Sequence, residues 1–491
     1  MWNRFDQKIF WILLLMMAGV IVINGTTTEI SLGDESHHYR FAQNIYTEGK
    51  RVPYDPLYES GNPPGFFNND PPLWHLILAF LWKVTGSISQ AVAQIYQVLF
   101  FILLVWLTSL LAKETAGEER RWVPAFIIAA VPMVVSFSTL LYMDIPMTAL
   151  STLAFYMILK KRYIEAGVAS GLMYFTKLNA GFFFPGFIFL IFWNERKKFW
   201  SLLKNLSFFT LPILMIYIPD LFWRRLNITS QMDSVGWSMI SHRFSIGFTG
   251  RQWKEHLNSY LSNPEDLAKY LGFTFLFLLL IHFVRLRRWN KRDAIFWIPV
   301  VSYLIPFLIV FGTGSDIRYL IPILPFLAVL ITPTFFSLGK VWRFAVIGVC
   351  VLQIAGTSYY VHQRRQIPPG VREGLEYIRE NVPQNALILY PEENLLIYGQ
   401  RRMIWSAVVI YRSGQKWGLN ALFWASHPEE MNEVLRINQI DHILVKKSRV
   451  YDDHEIRHYG GYPKSFVNKL PCLDGWVKIF ENSGVTLWKK V

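Results

Sequence analysis

Four short polar stretches hold the residue types that acid–base and phosphate chemistry require. Asp34-Glu35 follow an apolar run over 9–23 by about ten residues. Asp144 lies in Tyr142-Met143-Asp144-Ile145-Pro146, and Lys177 in Phe175-Thr176-Lys177-Leu178-Asn179. Arg318 and Tyr319 lie in Gly314-Ser315-Asp316-Ile317-Arg318-Tyr319-Leu320-Ile321-Pro322. A carboxylate held beside a membrane suits removal of a proton from a hydroxyl. Fixed cations suit a phosphate on which charge develops as a bond to it breaks. Each stretch also has a plainer use. Asp34-Glu35 fit a solvated, helix-capping loop; Asp144, two residues before Pro146, fits a helix start; Lys177 fits snorkelling toward headgroups; Arg318 fits a pair with Asp316.

The elements that must position these residues are membrane helices. Of 491 residues, 52% are hydrophobic, and apolar runs of spanning length recur, which excludes an ordinary soluble domain. About eleven spans are expected, near 8–24, 91–111, 123–139, 145–160, 163–176, 180–194, 205–223, 267–285, 294–312, 318–338 and 341–360. Residues 1–25 read as a first span without a convincing cleavage site. With the N-terminus in the cytoplasm, the basic loops at 113–121, 160–162, 196–204, 285–292 and 340–343 all fall inside, as the positive-inside rule requires. The net charge of +14 is therefore a topology signal, and no nucleic-acid partner is implied. Two cysteines, Cys350 and Cys472, make no disulfide framework.

This count places all four stretches on the outer side, where an ionisable group is costly unless paired or used. The outer loops are 25–90, which is acidic, and 224–266. The latter holds His242, Arg243 and His256 with Trp237 and Trp253, a mixture that suits sugar stacking and phosphate contact and equally suits an interfacial helix. Residues 71–84 are apolar but short and open on Pro-Pro, so an interfacial helix is expected there. Composition changes near 361. Helices at 371–381 and 428–437 and strands at 386–390, 404–411, 442–447 and 477–488, the last turning at 482–484, predict a small extracytoplasmic α/β domain over 361–491. Its expected task is acceptor recognition or bracing of the membrane part.

The acidic pair after the first span, the Pro-Pro-Leu opening a following helix, the Asp-x-Pro turn, the Thr-Lys turn and the Arg-Tyr-Leu-x-Pro segment resemble family 39 of the glycosyltransferase C superfamily. That group includes protein O-mannosyltransferases and lipid A aminoarabinose transferases. The resemblance covers roughly 1–360 and implies a transmembrane glycosyltransferase domain there. It implies an inverting transfer of one sugar from a polyprenyl-phosphate donor to a lipid, glycan or protein acceptor, in the cell membrane and among its lipids. Asp34 matches the family's acidic base, with Glu35 the less certain member of the pair, and Asp144 matches a second outer acid. Lys177 and Arg318-Tyr319 match positions expected near the donor phosphate. His37-His38 depart from the pattern; with Glu59 or His242 they would supply donors to a divalent metal, although adjacent histidines rarely chelate one ion well. No cofactor is otherwise implied. The tryptophan-tryptophan-aspartate signature of oligosaccharyltransferases is absent. A transporter or flippase of a lipid-linked sugar is the rival reading: it would use the same cations and need no base. The chain shows no internal repeat of the kind such transporters often carry.

Overall fold

The computed structural model describes residues 29–30, 34–52, 55, 57–59, 71–227, 264–284, 291–311, 317–390, 392, 394–405, 422–423, 425, 427–452 and 462–491, together with Gly19. The chain divides into two units, Met1–Thr28 with Asn69–Arg364, and Glu29–Asn68 with Arg365–Val491.

The first unit is helical. The expected interfacial segment is helix α2 (Leu73–Thr85). Helix α3 (Gln90–Ala116) starts where the Ser89 hydroxyl accepts from the Val92 N–H at 3.3 Å. The apolar run over 123–139 is two helices, α4 (Trp122–Ala130) and α5 (Pro132–Phe137), because Val131 is extended and Pro132 cannot donate to the preceding turn. Then follow α6 (Asp144–Leu159), α7 (Tyr163–Tyr174), α8 (Phe184–Glu195) and α9 (Phe199–Asn227). Gly272, at φ +82°, separates α10 (Pro264–Leu271) from α11 (Phe273–Val284). Helices α12 (Lys291–Phe311), α13 (Leu324–Ser337) and α14 (Lys340–Arg364) are the last described helices of the unit. Each segment expected as a span after the first overlaps a described helix; of the first, only Gly19 is described. Three of the described helices, at Gln90–Glu114, Phe199–Asn227 and Lys340–Arg364, are long and apolar enough to cross a membrane by themselves. Two of these present large apolar side chains outward, Trp200, Met215 and Phe222 on α9 and Trp342, Leu352 and Tyr359 on α14. Such faces are stable only against a non-aqueous neighbour. Inside, α7 and α9 approach so closely at Gly167 that a Cβ there would lie 2.3 Å from the Phe209 carbonyl oxygen.

The second unit is a six-stranded sheet in the order β1-β3-β2-β4-β8-β7: β1 (Tyr58–Glu59), β2 (Leu387–Tyr390), β3 (Arg402–Trp405) and β4 (His442–Lys446) run parallel, and β7 (Trp476–Glu481) and β8 (Val485–Lys490) add an antiparallel hairpin. A two-stranded ladder of β5 (Val450–Tyr451) and β6 (Tyr462–Pro463) stands apart. Helices α1 (Asp34–Glu48), α15 (Pro369–Asn381), α16 (Pro428–Ile437) and α17 (Lys464–Lys469) belong to the same unit. One apolar cluster joins α15 to Ile388, Tyr390 and Leu444; a second joins α16 to Leu389, Ile443 and Val445. Alternate residues of each strand therefore feed opposite faces. The hairpin turn is fixed by Asn482, whose Oδ1 accepts from the Gly484 and Val485 N–H groups, both at 2.9 Å.

The division differs from the one expected at 360. Residues 29–68 were assigned from sequence to an outer loop of the membrane part, yet they pack with the C-terminal unit. Backbone pairing is the reason: Tyr58 and Glu59 lie in register with Met403 and Ile404, and the Met403 N–H donates to the Leu57 carbonyl at 2.8 Å.

Candidate active site

Asp144, Lys177, Arg318 and Tyr319 come together in the first unit. Asp144 opens α6, where the helix dipole favours a carboxylate. Lys177 sits just past α7, before the 3-10 turn Leu178–Phe183. Arg318 and Tyr319 lie in a second such turn, Ile317–Ile323, ahead of α13. The helix-start use of Asp144 is therefore real, and the carboxylate has a second one: Lys177 Nζ donates to its Oδ1 at 2.7 Å, with the Asp144 side chain fully buried and that of Lys177 15% exposed. Burial works against the Lys177 ammonium, but Asp144 outweighs it, and the Lys177 pKa lies above the ordinary lysine range.

Aromatic rings complete the cluster. Lys177 Nζ lies 4.8 Å from the centre of the Tyr319 ring, and the Arg318 guanidinium lies 4.8 Å from that of Tyr142 and 5.3 Å from that of Tyr319. The loop carrying Tyr142 is anchored by Gln97 on α3, fully buried, whose amide donates to the Phe137 and Tyr142 carbonyls at 3.1 and 2.8 Å while its oxygen accepts from the Trp74 indole at 3.1 Å. The strand-like link around Lys177 is anchored twice: the Phe175 carbonyl accepts from the Leu73 N–H at 3.1 Å, and Asn179 donates to the Tyr303 hydroxyl at 2.9 Å.

Three features bear on what this cluster could bind. Asp144 Oδ2 is buried and has no hydrogen-bond partner among the described residues, so it can accept from a hydroxyl. Among those residues Lys177 uses one of its three N–H bonds, on Asp144. Beside Tyr174 and Gly181, which flank Lys177 in the chain, an apolar groove of about 560 Å³ runs between α7, α8 and α9, lined by Phe184, Ile188, Phe209, Ile213 and Tyr217.

The acidic pair lies in the second unit. Asp34 and Glu35 form the first turn of α1, and adjacent helical residues point about 100° apart. Glu35 is fully buried and Asp34 partly exposed. Glu35 Oε1 accepts from Arg365 Nη2 at 2.5 Å, and Arg365, itself fully buried, also donates from Nε to the Glu29 carbonyl at 3.2 Å. Arg40, on the same helix, donates to both oxygens of Asp55 at 2.8 and 3.0 Å. His37 and His38 are buried in α1. Among the described residues no three His, Cys, Asp or Glu side chains converge as a metal set. His242, Arg243 and His256 lie outside the described residues, as does Asp316, the partner considered for Arg318.

Several positioning residues are missed from sequence. Gln97 is a polar residue within an apolar span, a signal that was present. Arg365, Glu29 and Tyr303 carry no local signal, because their partners are far away in the chain.

Residues 69–223 match the family described as dolichyl-phosphate-mannose-protein mannosyltransferase. No curated protein matches the chain. Among solved structures, ArnT from Cupriavidus metallidurans bound to undecaprenyl phosphate superposes with a TM-score of 0.65 at 12% identity, over 98% of this chain and 98% of that one. The Archaeoglobus fulgidus oligosaccharyltransferase in complex with zinc and sulfate gives 0.62 at 14% identity, over 88% of this chain and 67% of that one. The archaeal oligosaccharyltransferase AglB of Archaeoglobus fulgidus, in complex with an inhibitory peptide and a dolichol-phosphate, gives 0.58 at 12% identity, over 90% and 70%. At these identities the likeness is one of fold.

Proposed function

We propose that this protein is a multi-pass membrane glycosyltransferase that moves one sugar from a polyprenyl-phosphate carrier to a lipid, glycan or protein acceptor on the extracytoplasmic face, with inversion. The observation that carries the reading is the Asp144–Lys177–Arg318 cluster, which offers a buried acceptor oxygen and two cations, with an apolar groove lined by Tyr174 and Gly181, close to Lys177 in the chain. A sugar hydroxyl, a phosphate and a lipid chain are the three parts of such a donor. The match of residues 69–223 and the fold shared with structures holding undecaprenyl phosphate and dolichol-phosphate support the same class.

In this reading Asp34 takes the proton of the acceptor hydroxyl, whose oxygen attacks the anomeric carbon opposite the phosphate. The carbon–oxygen bond to phosphate breaks, and its electron pair stays on the lipid phosphate, which Lys177 and Arg318 stabilise. Tyr319 holds the two cations in place through its ring. Asp144 holds Lys177 through Oδ1 and orients a donor hydroxyl through Oδ2. Glu35, closed in its pair with Arg365, serves the shape of the site and takes no part in proton transfer. The C-terminal unit lies outside the membrane.

The test is Asp34→Asn. Asparagine keeps the size but accepts no proton, so transfer should fall by about 10²–10⁴-fold while binding of the lipid donor persists. Near-normal transfer by this variant removes the base assignment. A flippase would move lipid and show no transfer by the unaltered protein.

A further inference from the structure

We infer that Arg365 is a positioning residue for the transfer: it locks Glu35, and through Glu35 the first turn of α1, so that Asp34 is held in its working orientation. The inference rests on the reading of Asp34 as the base.

The chain is anchored on either side of Asp34. On one side, the Arg365 fork holds the Glu29 carbonyl, the Glu29 carboxylate accepts from the Ile367 N–H at 2.6 Å and pairs with Arg372, and the Ile30 N–H donates to the Tyr398 hydroxyl at 3.0 Å. On the other side, the same fork holds Glu35. Residues 29, 30 and 35 are thus all fixed by residues from 365–398, and Asp34 lies between them. A guanidinium bound at two points sets direction as well as distance, which an ammonium cannot do.

Stability alone is a poor reason for this pair. Both side chains are fully buried, and the desolvation of two buried charges offsets most of their attraction; an apolar pair of the same size would hold the fold as well or better. What an apolar pair would not give is a fixed angle at the start of α1. Misplacing a reacting group by about 1 Å costs ~10²-fold in rate. The acid nearest Asp34 in sequence is thereby spent on orientation, and the C-terminal unit becomes part of the apparatus that presents Asp34.

The experiment uses the full chain in lipid nanodiscs, with polyprenyl-phosphate-linked sugars as donors, and compares the unaltered protein, Asp34→Asn, Arg365→Lys and the double variant. Arg365→Lys keeps the charge and loses the fork. Its kcat should fall about 10- to 100-fold with the donor KM changed less than about twofold. In the Asp34→Asn background Arg365→Lys should cause no further loss, because it acts through Asp34. Arg365→Lys with unchanged kcat, or with a loss that multiplies that of Asp34→Asn, overturns the inference. Should Arg365→Lys fail to fold, Glu35→Gln, which keeps an acceptor for the fork without its charge, replaces it with the same expected pattern. If Asp34→Asn transfers normally, or the unaltered protein transfers nothing from any donor, the underlying reading falls instead, and this inference with it.

Discussion

The Asp144–Lys177 pair can be taken apart in a way that separates folding from binding. Asp144 is fully buried and Lys177 15% exposed, at 2.7 Å. Removing one partner leaves a buried charge uncompensated, so Asp144→Leu and Lys177→Met should each destabilise the helical unit by about 3–5 kcal/mol. Removing both, as Asp144→Leu with Lys177→Met, leaves no charge to compensate and should cost less than either single change. The coupling energy from the cycle should therefore be about 3 kcal/mol or more. The assay is unfolding in detergent followed by intrinsic tryptophan fluorescence, which the tryptophan-rich chain supplies. Binding should behave differently. The double variant recovers stability but still lacks the ammonium for phosphate, a charge-assisted contact of roughly 1.5–3 kcal/mol, so donor affinity should stay about 10- to 150-fold weak. Additive stability losses would show that the two groups do not depend on one another. Donor affinity restored along with stability would remove the phosphate role of Lys177.

Arg318→Ala should weaken donor affinity by a similar factor with little change in unfolding temperature, because its contacts are with the Tyr142 and Tyr319 rings near the site; equal losses in both readouts would make it structural. Gly167→Leu should separate α7 from α9 and destabilise the unit by ~2 kcal/mol or more, since even a Cβ there meets the Phe209 carbonyl; an unchanged unfolding temperature counts against that close approach. In β4, His442 is buried, and burial pushes its pKa down to about 4. A depressed histidine pKa favours the neutral ring in the fold, so the associated stability is complete above the unfolded value near 6.5 and is lost as pH falls toward 4, by about 3 kcal/mol in all. His442→Val should flatten that part of the pH–stability curve, and an unaltered slope would show the ring is not the sensor. Finally, Cys472 is exposed and Cys350 buried, so an impermeant thiol reagent should label Cys472 in intact cells if the C-terminal unit is outside; labelling only after lysis reverses the topology.

Local patterns were legible where a residue's environment is set by its neighbours in the chain. The strands at 387–390 and 442–446, the helix at 428–437 and the turn at Asn482 follow from alternation, periodicity and turn chemistry, and the structure has them within a few residues. Breaks inside apolar runs were harder, since Val131-Pro132 and Gly272 interrupt helices without changing hydropathy. Of the candidate site, the ionic residues stood out because charge is rare at membrane boundaries, but their pairing did not. Lys177 and Asp144 were read as members of opposite sets for different substrate groups, whereas a 33-residue separation closes into one ion pair. Arg365 lies just after the last expected span and carries no sequence signal of its own. Its partner lies 330 residues earlier, and no local pattern reports a contact of that range.

That distance also has a temporal meaning. Residues 29–68 leave the ribosome long before the strand and the arginine that complete their fold, and at roughly 5–20 residues per second the gap of 330 residues lasts about 15–65 s. Throughout that interval Glu35 lacks its guanidinium and β1 lacks its sheet. A chain that stops short of residue 365 has the acidic pair but not the guanidinium and strand that pair with residues 29–59. On the function proposed above, incomplete products inserted in the membrane would hold the acidic pair without the contacts that set it.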